Sequence, residues 1–145
     1  MKNAINPTST LDVPFGPEAG AFILRVTLGA VLLAHSVYLK LMVFTLPGTA
    51  QFFGSIGLPG VLAYVVFAIE AVAGVALLLG IKTRLFSALV VPVLLGATWA
   101  HFSSGWLFSN EGGGWEDPLI LTLMALAQMA LGDGAYSVSS RNRAG

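Results

Sequence analysis

The chain has 145 residues, 56% of them hydrophobic and only 10% charged, with a formal net charge of zero and no cysteine. A water-soluble domain carries about 25% charged residues to cover its surface, so this composition, with mean hydropathy +0.83, makes lipid the solvent for much of the chain and the bilayer its first expected partner. The charge balance and the lack of a basic cluster exclude nucleic acid; the lack of cysteine excludes thiol–disulfide chemistry, thiolate metal sites and cysteine-held iron–sulfur clusters by this chain alone.

Residues 1–19 hold Pro7, Pro14 and Pro17 and read as an irregular tail. The long apolar stretch starts too late for a cleavable signal. The first predicted span covers 20–44, "GAFILRVTLGAVLLAHSVYLKLMVF". Residues 45–57, "TLPGTAQFFGSIG", read as a loop punctuated by Gly and Pro, with Phe52 and Phe53 at the interface. The second span covers 58–80, and "IKT" is a tight turn into the third, 83–102, where Pro92 predicts a kink. A polar loop, "SSGWLFSNEGGGWED", follows, then a fourth span over 116–132 and a C-terminal tail, 139–145. A span needs roughly 17–25 mostly apolar residues, and the fourth is short by count, which a thinner bilayer would accommodate. The expected fold is an all-α membrane protein, a four-transmembrane-helix bundle over residues 20–138.

Orientation follows from the Lys/Arg bias. With both termini cytoplasmic, Lys2, Lys82, Arg84, Arg141 and Arg143 fall inside and only Lys40 lies near the outer end. Glu111, Glu116 and Asp117 then lie outside, and Trp99, Trp106 and Trp115 gather at the outer interface, where an indole is favoured.

Glu70 interrupts the apolar run "GVLAYVVFAIEAVAGVALLLG". An ionisable group at mid-membrane costs about 3 kcal/mol on insertion scales. It shares a helix face with Ala63, Ala73 and Gly74, and small residues let helices approach. The same small-xxx-small spacing recurs at Ala30/Ala34, Ala76/Gly80 and Gly96/Ala100. Glu70 is therefore expected to face the first helix. At about 1.5 Å per residue it is bracketed in depth by Arg25 and His35. Two states stay open: an ionised Glu70 paired with Arg25, or a protonated Glu70 that is hydrogen-bonded. Arg25 and Glu70 form the expected intramembrane polar network, either an ion pair that fixes packing or a group that moves protons or orients a ligand.

His35 and His101 are the two histidines, nearly level in depth, with Lys40, Glu116 and Asp117 at the same end. A quinone suits that end. Its ring stacks on aromatic faces, its carbonyl oxygens accept hydrogen bonds, and histidine or carboxylate exchanges protons during reduction. His35, Lys40, His101 and Glu116 are the candidate ligand contacts. Interfacial hydrogen bonding by the histidines and simple anchoring by the tryptophans is the bland alternative. Bis-histidine haem ligation lacks any further mark of a haem site. No motif for a bound cofactor is present, no metal site is expected and no catalytic residue is assigned.

Several segments in order, "LRVTLG" with Arg25, "AHSVYLK" with His35 and Lys40, "GLP" at 57–59, Glu70 followed by "GVALLLGIKTR", "GGGWEDP" with Glu116, and "GDGAYS", resemble the DoxX family of small bacterial inner-membrane proteins over about residues 20–140. Ser36 stands where that family often has glycine, and Lys40 lies one residue later than in the commonest spacing. The resemblance implies a four-helix protein of the bacterial inner (plasma) membrane. Members are associated with quinone-linked oxidoreductases, including a thiosulfate:quinone oxidoreductase and its terminal oxidase partners, and with oxidative-stress complexes. The expectation is a multi-pass subunit linked to quinone redox or respiratory chemistry, at most a non-catalytic or accessory part of an oxidoreductase. Its expected partners are a soluble or membrane redox protein and further copies of itself. The alternatives are a non-enzymatic membrane anchor or assembly factor for a soluble redox partner, or a small transporter.

Overall fold

The computed structural model describes residues 16–141, with side chains through Ser140; Lys2, Pro7, Pro14 and Arg143 lie outside the described residues. All regular elements among them are helical. Helix α1 begins at Pro17, inside the stretch read as tail, because proline at the first helical position needs no N–H and already has a helical φ. It runs as an α-helix to Leu33 and continues as a π-helix over Ala34–Val43. The change of winding coincides with Ser36, whose buried hydroxyl donates to the Leu32 carbonyl at 2.8 Å. That bond competes with the main-chain ladder. The wider winding persists to Phe44, whose N–H reaches the Leu39 carbonyl five residues back at 2.8 Å.

The segment read as a loop at 45–57 contains a helix, α2, Leu46–Ser55. Its start carries two of the usual signals. Thr45 caps it by accepting the Gly48 N–H at 3.2 Å, and Pro47 sits in the first turn. Gly and Pro punctuation was thus the boundary of a helix rather than the mark of its absence. Helix α3 is Val61–Leu79 and ends in a Schellman motif: Gly80 is left-handed at φ 70°, Ile81 N–H reaches the Ala76 carbonyl at 2.8 Å and Gly80 N–H reaches Leu77 at 3.2 Å. Helix α4, Thr83–Ala100, stays helical through Pro92. Helix α5 is Glu116–Leu131, and a short α6, Val138–Arg141, follows.

Around the bundle, α1 packs on α3, α3 on α4, α4 on α5, and α5 returns to α1. Each contributes to one core: Leu28 and Leu32, Ala73 and Leu77, Val90 and Leu94, Leu121 and Ala125, all buried. The outer faces are as apolar as the core. Val65, Val72 and Val75 on α3, Leu85, Leu89 and Leu95 on α4, and Leu123 and Leu131 on α5 are all exposed. Water would not tolerate such a belt and hydrocarbon does. Three helices, Pro17–Val43, Val61–Leu79 and Thr83–Ala100, are long and apolar enough to cross a bilayer, and the chain is a membrane protein. Helix α5, 16 residues or about 24 Å long, is shorter than those three. Its N-terminal end is tied to the loop that follows α4, through Glu116 N–H to the Trp106 carbonyl at 3.1 Å. Its C-terminal end meets the start of α4, where the Thr83 N–H donates to Asp133 Oδ1 at 3.3 Å.

Helices α1 and α3 approach closely at Gly29 and Gly74. Of the expected small-residue pairs, Ala30 and Ala34 face outward, as does Gly96. A Cβ on Gly29 would lie 2.9 Å from the Gly74 carbonyl oxygen and 3.1 Å from the Leu78 nitrogen, both main-chain atoms that cannot rotate away. Gly29→Ala is expected to destabilise the protein by about 1–2 kcal/mol: overpacking of about 1–3 kcal/mol outweighs the gain of up to about 1 kcal/mol in helix propensity. Unfolding in detergent micelles, monitored by tryptophan fluorescence, measures it, and a stabilised variant would show that α1 and α3 separate freely.

Candidate functional site

Polar side chains collect at the two ends of the bundle. At the end formed by the π segment, α2 and the 101–117 loop, Lys40 Nζ lies 2.6 Å from Glu70 Oε2. Glu70 is 4% exposed overall. It faces inward with buried Ala63, Ala73 and Gly74, as its neighbours predict. Its partner differs from the expected one: Lys40, not Arg25, holds the carboxylate. The reason is the winding. Hydrogen bonds five residues apart give a wider turn with less rise per residue, so Lys40 is carried around and down toward α3 instead of out to the interface.

His35, half-buried on the same segment, lies within Coulombic reach of Lys40, Asp117 and His101. The two histidines therefore do share one neighbourhood. His101 ends α4, its Nδ1 2.9 Å from the Ala97 carbonyl. A carbonyl only accepts, so Nδ1 is the donor in this contact. The Phe52 ring of α2 lies 6.5 Å from the His101 ring, and Gly113 lets the loop pass beside the imidazole edge. Trp115 stacks with Phe102 at 5.4 Å and meets Trp106 edge-on at 4.5 Å. Glu116 begins α5 through its main chain. Among the described residues, Asp117 is the carboxylate whose charge reaches His35. Sequence reasoning placed Asp117 at this end but chose Glu116 as the acid contact, and it missed Phe52 as a neighbour of His101 because the helix that carries it was read as a loop. Chemically, this end offers imidazole nitrogens, an ammonium with one N–H given to Glu70 and two more to donate, and aromatic faces.

At the other end, Arg25 is fully buried. Its Nη1 donates to the Leu77 carbonyl at 3.0 Å and to Leu78 at 3.2 Å, and its Nη2 donates to Ala135 at 2.9 Å. The guanidinium also lies 5.4 Å from the centre of the Phe22 ring. A cation at a helix C-terminus satisfies the last carbonyls and complements the helix dipole. This competing demand takes Arg25 away from Glu70. The "GDGAYS" segment and the short α6 after it supply the rest of the knot: Ala135 N–H returns to the Glu18 carbonyl at 3.0 Å and Ser139 N–H to the Gly80 carbonyl at 3.1 Å. Arg25 is thus a structural tie between α1, the end of α3 and the segment after α5. Arg25 and Glu70 belong to separate networks.

The sequence model of the DoxX family matches residues 20–103. A Bacillus subtilis (strain 168) protein named "Putative oxidoreductase CatD" is 43% identical over 81 residues, covering 55% of this chain and 58% of its own length. The match therefore spans somewhat more than half of that relative. No solved structure matches the chain.

Proposed function

Because the chain belongs to the DoxX family, we propose that it is an accessory membrane subunit of quinone-linked redox chemistry, with the quinone head group bound at the His35–His101 end. The observation that carries this reading is that His35 lies within Coulombic reach of Lys40, His101 and Asp117, with the Phe52 ring 6.5 Å from the His101 ring and Phe102, Trp106 and Trp115 packed together in the loop that follows His101. A quinone ring stacks on such faces. Its carbonyl oxygens accept from the Lys40 ammonium or from a protonated imidazole, and reduction consumes protons that histidine supplies. The electrons come from a partner redox protein. The relative named as an oxidoreductase supports placing the chain beside such chemistry.

Four spans with both termini on the cytoplasmic side of the bacterial inner membrane fit the same picture. Helix α5 runs antiparallel to α4 for most of its length, so a layer crossed by α4 is nearly crossed by α5. Lys82 and Arg84 lie at the Arg25 end, while Trp106 and Trp115 lie at the other, as the Lys/Arg and aromatic rules ask.

The test is fluorescence of the purified full chain in detergent, titrated with a short-chain benzoquinone. Saturable quenching of the indoles is expected. His35→Ala/His101→Ala should weaken it at least tenfold, about 1.4 kcal/mol. Saturable quenching unchanged in that double variant would remove the histidines from the site. Quenching that never saturates would favour a membrane anchor instead.

A further inference from the structure

The Arg25 end contains a cavity of about 440 Å³ that the redox reading does not use. Two cations, Lys82 and Arg84, and two carboxylates, Glu18 and Asp133, line it. Thr83 lines it as well; it is fully buried, and its Oγ1 has no hydrogen-bond partner. The Arg84 guanidinium lies across Gly132, close enough that a Cβ there would be 2.9 Å from Nε. The rest of the wall is different in kind: Leu85 and Leu131, each 50% exposed, belong to the apolar belt. One opening thus joins a polar floor of mixed sign to the hydrocarbon-facing surface of α4 and α5.

We propose that this cavity seats the head group of a phospholipid that carries both a phosphate and a primary ammonium, a phosphoethanolamine lipid. The phosphate pairs with Arg84 and Lys82, since arginine matches phosphate oxygens in a fork and basic pockets between membrane helices hold lipid head groups. The ammonium, with three donors, goes to the Glu18 carboxylate. Asp133 is already engaged with the Thr83 N–H at 3.3 Å. The acyl chains leave over Leu85 and Leu131. A purely anionic head group would leave Glu18 facing a like charge, and a choline head group has no N–H to give it. The site lies at the opposite end of α4 and α5 from His35 and His101, so it stands or falls independently of quinone binding.

The experiment measures the unfolding midpoint of the full chain in detergent micelles doped with phosphatidylethanolamine, phosphatidylglycerol or phosphatidylcholine, and with soluble glycerophosphoethanolamine alone. A ligand that binds only the folded state raises the midpoint. Phosphatidylethanolamine should raise it by about 4 °C, more than either other lipid, and the soluble head group should raise it less. Lys82→Gln/Arg84→Gln should abolish the response to all three lipids. Glu18→Gln, a conservative change at an exposed site, should abolish only the preference for phosphatidylethanolamine over phosphatidylglycerol. Equal shifts with the three lipids, an undiminished shift in Lys82→Gln/Arg84→Gln, or a shift with the soluble head group as large as with the lipid would each overturn the proposal.

Discussion

Replacing Lys40 by methionine is expected to destabilise the protein by about 3–5 kcal/mol, because it leaves the Glu70 carboxylate buried without its counter-charge. Glu70→Leu should cost a similar amount for the opposite reason: the ammonium of Lys40, 18% exposed, would lose its partner. The double variant Lys40→Met/Glu70→Leu should recover most of the loss, since an apolar pair of similar volume removes both desolvation penalties. The cycle therefore has a coupling energy of several kcal/mol, read from unfolding in micelles. Single losses below about 1 kcal/mol would mean that the pair behaves like an exposed surface bridge. The same proteins separate packing from chemistry. If the pair only fixes helix geometry, the restored double variant keeps the quinone response of the native chain. If Lys40 donates to the quinone, the double variant is stable but binds it more weakly.

A comparable loss, about 2–5 kcal/mol, is expected for Gly80→Ala. The residue is held at φ 70°, where a non-glycine residue costs about 1–2 kcal/mol. Its new Cβ would also fall on the Arg25 guanidinium and 2.7 Å from Ser137 Cα, adding an overpacking term of about 1–3 kcal/mol. Arg25→Lys should fail in a related way despite keeping the charge. A single ammonium on a shorter head cannot reach Leu77, Leu78 and Ala135 together, whereas the guanidinium fork does. Limited proteolysis reports both: cleavage within residues 133–141 should speed up in each variant while the 101–117 loop is cut as before. Unchanged cleavage at 133–141 would show that the segment is held without Arg25.

Much of the fold was legible because lipid imposes simple rules. Apolar runs located the three long helices to within a few residues, and the small neighbours of Glu70 gave the direction of its side chain. What was not legible depends on winding and on long-range closure. A period of 3.6 residues carries Lys40 toward the interface. The π segment after Ser36 turns it inward, and nothing in a hydropathy profile marks that change. Arg25 was assigned to the nearest buried acid by depth alone. The carbonyls at the end of α3 and the segment beyond α5 are stronger claimants, but they sit 52 to 110 positions away in the chain. The quoted segments "LRVTLG", "GVALLLGIKTR" and "GDGAYS" were visible as separate marks. Only the folded chain shows that they meet in one knot.

The two ends of the bundle are fastened by different means. The Arg25 end is stitched through main-chain oxygens of three segments, while at the opposite end the 101–117 loop is held to the start of α5 through its main chain and Lys40 joins the π segment to Glu70 of α3. Helix α4 has 18 residues and forms a lever of about 27 Å, so a rotation of about 5° displaces its far tip by about 2 Å. That tip carries His101, so a small tilt of α4 about its Arg25 end would change the gap between the imidazoles.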